Sequence, residues 1–357
     1  MNEKVDFEQL RPQLDPSGML ALAQSFPSHM EDAWGIGRSF AADVTPGDYR
    51  QVVVCGMGGS AIGGDMLRSF FGDRLKSPLT SVRGYQVPAH VGESTLVVVS
   101  SYSGNTGETL SSYESMRGRG AKVVAVSGGG KLEKLCHEDG VPFCTIPGGM
   151  PPRAAIAYSF VPMLHILRAA GVARFEDDEF VESLETARGL ARDYSPQEQD
   201  NPAVELARAL ENNLPYVYSG PGLMQAIARR WACQFNENSK SPAHFAEFPE
   251  LNHNEIVGWR DGGAGDLYKR VVVLSLEDRD DHDMTRRQTE IGLGIERPLA
   301  AAVHRFDGGR GGRLSRMISL LMLGDFASIY LAYLYGVDPT PVENIDYLKN
   351  KLAQSSG

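Results

Sequence analysis

The chain has 357 residues, 42% of them hydrophobic and 22% charged, with a formal net charge of −10. That length suits two domains, that composition suits a folded chain rather than a disordered one, and the acidic balance argues against non-specific binding to nucleic acid. An anionic small ligand stays open, because a phosphate pocket is a local field that a few backbone amides and one arginine can make.

The chain opens on MNEKVDFEQL, which carries acids and no apolar run, so no signal peptide is expected. Residues 1–50 read as a helical lead-in. The first strong signal is QVVVC at 51–55, a β-branched run that ends at GMGGSAIGGD. A buried strand, a glycine-rich turn and a helix follow from it. LVVVSSYSGNTGET from Leu96 repeats the arrangement, and KVVAVSGGG from Lys122 starts a third unit. Strands that alternate with helices imply a parallel sheet covered on both faces.

A second series starts at Tyr216 with YVYSGPGLMQAIARRWACQF, continues with RVVVLSLED at Arg270 and AAAVHRFDGG at Ala300, and ends in a long apolar helix near 314–335. Gly220-x-Gly222 follows its strand as Gly56-x-Gly58 follows the first one, so the chain reads as a weak duplication of long period. The join falls near 190–212, where YSPQEQDNP is polar and carries prolines. The apolar stretch from Met317 to Val337 nears membrane-spanning length, but Gly324 and Asp325 interrupt it, and a buried core helix is expected. The four cysteines, Cys55, Cys136, Cys144 and Cys233, form no CxxC pair and no zinc-type spacing with histidine. Reduced thiols in a cytoplasmic protein, with no metal and no membrane association, are the expectation.

The halves differ in their loops. The first offers Ser60 in its first turn and Ser101, Ser103 and Thr106 in its second; the second has Leu223 and Met224, then LEDRDD. In a parallel sheet, ligands bind at the carboxyl ends of the strands, and helix N-termini there favour an anion. Hydroxyls and free amides together suit a phosphate monoester. No lysine follows the glycines, so the turn is not a P-loop. Gly56-x-Gly58-x-x-Ala61 does fit the dinucleotide fingerprint, but the acid expected about 20 residues on is missing. The second-strand candidate LTSVRGY carries Arg83 instead, which keeps an NADP-dependent dehydrogenase as an alternative.

SYSGNTGET joined to GMGGSAIGGD resembles a sugar isomerase (SIS) domain, and the duplication resembles the two-domain phosphoglucose isomerase superfamily. PPRAA at 151–155, FNENSK at 235–240 and ELNHNEIVGW at 250–259 narrow the resemblance to the bifunctional phosphoglucose/phosphomannose isomerase family, over roughly 51–351. It implies an α/β fold of two SIS-type domains, each a parallel sheet flanked by helices: a lead-in at 1–50, a phosphate-binding domain at 51–195, and a second domain at 200–357 with a C-terminal catalytic segment. It implies no cofactor, a sugar 6-phosphate substrate, and a homodimer with shared active sites. The family's phosphate contacts fall on Ser60, Ser101, Ser103 and Thr106 with the backbone of Gly59, its arginine on Arg153, its base on Glu237, its ring-opening histidine on His253, and its lysine on Lys349, with Lys351 as the other register. Thr340 is the nearest match to a threonine that dual-specificity members carry before the lysine, but further from Lys349 than expected. The segment 174–212 is expected to be a surface elaboration.

The residue types suit those roles. A carboxylate can carry a proton between C1 and C2 of an open-chain sugar, and Glu237 stands where the helix before Ser241-Pro242 should stop. Histidine titrates in the range that ring opening needs. A fixed guanidinium at Arg153 would stabilise the enediolate. A non-catalytic sugar-phosphate sensor on the same domain pair remains the second alternative.

Overall fold

The structure, a computed structural model, describes residues 7–262 and 265–355. Met1–Asp6, part of the opening segment read as lacking a signal peptide, lie outside the described residues.

Helices α1 (Phe7–Leu14), α2 (Met19–Gln24) and α3 (Phe26–Phe40) come first. Strands β1 (Gln51–Cys55), β2 (Leu79–Val82), β3 (Thr95–Ser101), β4 (Lys122–Ser127) and β5 (Phe143–Thr145) then build one sheet in the order β2-β1-β3-β4-β5. Every pairing in it is parallel. Between its strands run α4 (Gly58–Phe71), α5 (Gly107–Gly118) and α6 (Gly130–Asp139); α7 (Ile156–Ala169), α8 (Asp177–Asp193) and α9 (Pro202–Leu210) follow. All seven residues of β3 are buried, which is what a strand covered on both faces requires.

The second sheet, also parallel, runs β7-β6-β8-β9 through β6 (Leu214–Ser219), β7 (His244–Glu247), β8 (Val271–Glu277) and β9 (Ala302–Asp307). Its helices are α10 (Gln225–Glu237), α11 (Asp283–Glu296), α12 (Arg313–Leu334) and α13 (Glu343–Ser355). In both sheets the second strand lies outside the first and the third strand lies on its other side. The duplication read in the sequence is therefore a duplication of topology.

The helices join the halves. α12 packs on α8, α9 and α10, and α4 packs on both α7 and α10. The apolar stretch that nears spanning length is α12, buried along most of its length inside this fold. Asp325, which interrupts it, faces Arg230 (below). Gly324 is where α10 crosses: a Cβ there would lie 2.3 Å from the Trp231 ring, whose Nε1 donates to the Leu320 carbonyl at 2.7 Å.

One expectation is corrected. The segment 174–212 is not a surface elaboration, because Phe180, Leu184 and Ala187 of α8 and Leu206 and Leu210 of α9 are core residues. Phe180 stacks on Trp34 of α3, ring centroids 4.0 Å apart. The charges of α8 lie on its outer face, and its apolar side packs into the core.

Candidate active site

β1 and β3 are neighbours, so the turns that leave their carboxyl ends meet. Gly58, in the left-handed region at φ +51°, turns the chain from β1 into α4. At Gly59 a Cβ would come 2.8 Å from the Pro152 carbonyl oxygen. Glycine there lets the Pro151-Pro152-Arg153 turn lie against the helix N-terminus. The buried Ser60 hydroxyl accepts from the Tyr102 amide at 3.1 Å, which ties one loop to the other. Ser101 Oγ donates to Thr106 Oγ1 at 3.3 Å, and Ser103 Oγ accepts from the Asn105 amide at 3.3 Å. Thr106 is the N-cap of α5, yet its side chain makes no capping bond. The expected phosphate residues therefore gather at two adjacent strand ends and two helix N-termini, where the first amides of a helix lack intrahelical partners.

Glu237 is the last residue of α10. Its Oε2 lies 3.6 Å from Arg153 Nη1. Both line a cavity of about 160 Å³ together with Gly58, Gly59, Arg83 and Arg229, so the glycine turn and the carboxylate open into one space. Arg153 is 4% exposed. Its Nε donates to Asn238 Oδ1 at 2.6 Å, and its Nη2 to the carbonyls of Pro339 at 2.7 Å and Thr340 at 2.8 Å. Burial lowers its pKa and Glu237 opposes that, but a guanidinium starts so high that it stays charged. Nη1 is thus held toward Glu237 by bonds on the rest of the group.

The segment after α12 closes over this point. Lys240 Nζ donates to the carbonyls of Glu237, Pro339 and Pro341 at 2.6, 3.1 and 2.7 Å. Thr340 therefore sits at the site through its backbone contact with Arg153, despite its distance in sequence from Lys349. Its hydroxyl is buried and has no hydrogen-bond partner among the described residues.

Two expected residues are not brought to this cavity by their own chain. His253 ends a 3-10 turn (Glu250–His253) after β7 and is exposed. Among the described residues neither Asn252 nor Asn254 hydrogen-bonds it; Asn254 Oδ1 instead accepts from the Glu255 amide at 2.5 Å. Lys349 and Lys351 lie on the exposed α13, beside Ile345, Leu348 and Leu352, which are exposed as well. A cleft of about 580 Å³ separates the end of α10, including Glu237, from the start of α13 at Glu343 and Ile345.

Four supporting residues escaped the sequence reading. Arg230 is 2% exposed; its Nη2 donates to the Arg153 carbonyl at 2.8 Å and to Asp325 Oδ2 at 2.7 Å. Gln234 Nε2 donates to Asp325 Oδ1 at 3.0 Å, and Asn238 Nδ2 to Ser328 Oγ at 2.9 Å. Burial raises the Asp325 pKa, and Arg230 opposes that. The available signal was the spacing: Arg230, Gln234 and Asn238 recur every four residues, a polar stripe on one helix face. Their partner Asp325 was visible only as an interruption in an apolar helix. Among the described residues no group of three or more metal-binding side chains clusters.

Residues 199–352 match the model of the bacterial phospho-glucose isomerase C-terminal SIS domain. The chain is 41% identical to the bifunctional phosphoglucose/phosphomannose isomerase of Caldicellulosiruptor bescii, over 94% of this chain and 99% of that protein. It is 35% identical to the protein of the same name from Aquifex aeolicus, over 87% and 92% of the two chains. Among solved structures, a hypothetical protein from Thermus thermophilus superposes with a TM-score of 0.74 over 98% of this chain and 93% of that one, at 14% identity. The motifs, the paired parallel sheets and these identities agree: the chain belongs to the bifunctional phosphoglucose/phosphomannose isomerase family.

Proposed function

We infer that the chain is an aldose–ketose isomerase that interconverts glucose 6-phosphate and mannose 6-phosphate with fructose 6-phosphate through a cis-enediolate. The observation that carries this reading is the Glu237 carboxylate facing the buried Arg153 guanidinium in the same cavity as the Gly58-Gly59 turn. The cradle of Ser60, Ser101, Ser103 and Thr106 holds the phosphate, and binding energy from that remote end orients C1 and C2. Glu237 takes the proton from one carbon and returns it to the other. Negative charge then develops on O1 and O2, and Arg153, already fixed by its hydrogen bonds, meets it with little reorganisation.

Ring opening falls to His253, delivered by a second copy of the chain, with Lys349 assisting. The exposure of His253 and its position outside the Glu237 cavity support a homodimer with shared sites. Residues 51–195 and 200–357 act as the two domains, each with its own sheet. The free thiols, three of them buried, support a reducing, cytoplasmic setting.

The test is an assay of fructose 6-phosphate conversion that follows both aldose products separately, with EDTA present, beside Glu237→Gln. Turnover should fall by roughly a thousandfold or more in the variant, while sugar-phosphate binding persists. Binding without product in the wild-type protein would instead make it a sensor.

A further inference from the structure

The cavity beside Glu237 has a wall that the reaction described above does not use. β2 pairs with β1 on the side away from β3, so Arg83, which follows β2, flanks the glycine turn opposite the hydroxyl loops. Its Nη2 donates to Asp65 Oδ2 at 2.5 Å. Asp65 is 4% exposed and sits on α4, five residues beyond Ser60. Arg229 of α10 brings its Nη1 within 3.6 Å of the same carboxylate oxygen. One buried carboxylate therefore holds two guanidiniums, which leaves one positive charge in excess on the wall. The remaining N–H groups of Arg83 have no hydrogen-bond partner among the described residues, and its side chain is 31% exposed. It lines the cavity that Glu237, Arg153 and the glycine turn also line.

We propose that Arg83 is a specificity-determining residue that donates hydrogen bonds to hydroxyl oxygens of the open-chain sugar, between the phosphate and the reacting carbons. The assignment rests on the isomerase reading above. A phosphate in the cradle and C1 and C2 at Glu237 require the rest of the sugar to cross this cavity. Its hydroxyls are neutral and need donors, and a planar fork of N–H groups matches adjacent oxygens better than a point charge would. Asp65 is the positioning residue: it fixes one edge of the fork and leaves the other edge to the cavity.

The experiment compares wild type, Arg83→Gln and Arg83→Lys in steady-state turnover of fructose 6-phosphate, with inorganic phosphate as a competitive inhibitor. For Arg83→Gln, KM should rise roughly 10- to 100-fold, the size of lost hydrogen bonds to a charged donor. The value of kcat should change much less, because binding is lost equally from ground and transition states. The inhibition constant of phosphate should hold, the melting temperature should fall because Asp65 keeps only Arg229 beside it, and the glucose to mannose 6-phosphate product ratio should shift. Should Arg83→Gln fail to fold, Arg83→Lys keeps the charge beside Asp65 but not the fork, and its KM should still rise several-fold. An unchanged KM in the folded variant overturns the assignment and leaves Arg83 balancing Asp65. A phosphate inhibition constant that rises in step with KM also overturns it, by putting Arg83 in the phosphate site. Both failures leave wild-type turnover intact; absent wild-type turnover overturns the isomerase reading and this assignment together.

Discussion

At Glu296 a carboxylate is sealed away from water with nothing to accept from. It ends α11 fully buried, and neither oxygen has a hydrogen-bond partner among the described residues. Burial first, and then the negative Glu255, push its pKa up to about 8. In the unfolded chain a glutamate titrates near 4.3, so the unfolded state loses its proton first as pH rises. The folded state is therefore undisturbed by this group below about pH 4 and loses stability progressively up to about pH 8. Glu296→Gln keeps the shape and removes the titration. It should stabilise the protein by roughly 4 kcal/mol at pH 7.5 and by little at pH 4.5. Urea denaturation at the two pH values checks this, and an equal gain at both would assign the effect to packing instead of the proton. Arg153 shows the opposite solution at the same scale: buried as deeply, it is kept by donating to Asn238, Pro339 and Thr340.

The element on which the site depends most is α10. Its C-terminus presents Glu237, its buried polar stripe braces Arg153 through Arg230, and Arg229 reaches across to Asp65. The helix keeps that setting because α12 packs against it at Gly324. A methyl at this point meets the Trp231 ring well inside contact distance, so Gly324→Ala forces the two helices apart despite alanine's better helix propensity. The variant should lose roughly 2–3 kcal/mol of stability. It should also lower kcat, because Arg230 and Asp325 occupy the adjacent positions on the two helices. Chemical denaturation with parallel kinetics would show it; a neutral Gly324→Ala would mean that α10 and α12 are not rigidly seated.

For the whole molecule, the question is where His253 acts. Glu237→Gln and His253→Asn proteins, each expected to be inactive alone, can be mixed under conditions that allow subunit exchange. If each site takes Glu237 from one copy and His253 from the other, mixed dimers carry one intact site, and activity should return to about a quarter of wild type. No recovery would confine both residues to one chain and remove the shared site. The exposed apolar side of α13, with Ile345, Leu348 and Leu352, belongs to the same question, since Lys349 lies on that helix.

Much of this protein is written locally. The valine runs at 51–55, 96–99 and 123–126 are buried strands because nothing else accommodates β-branched side chains on two covered faces. The glycine turns, the hydroxyl loops and a helix that stops at Glu237 follow from the same short-range rules. The short strands β5 and β7 were not legible, because three or four residues carry no period to read. What only the tertiary structure decided is which charges are buried and against what. Asp325 reads as a break in an apolar helix until Arg230, 95 positions earlier, is seen beside it. Arg83 reads as the end of a strand until Asp65 is in place, and 174–212 reads as a surface elaboration until Phe180 is seen stacked on Trp34. Backbone preference acts over a few residues, and sequence reports it directly. Burial of a charge is decided by partners that the chain brings together only when it folds.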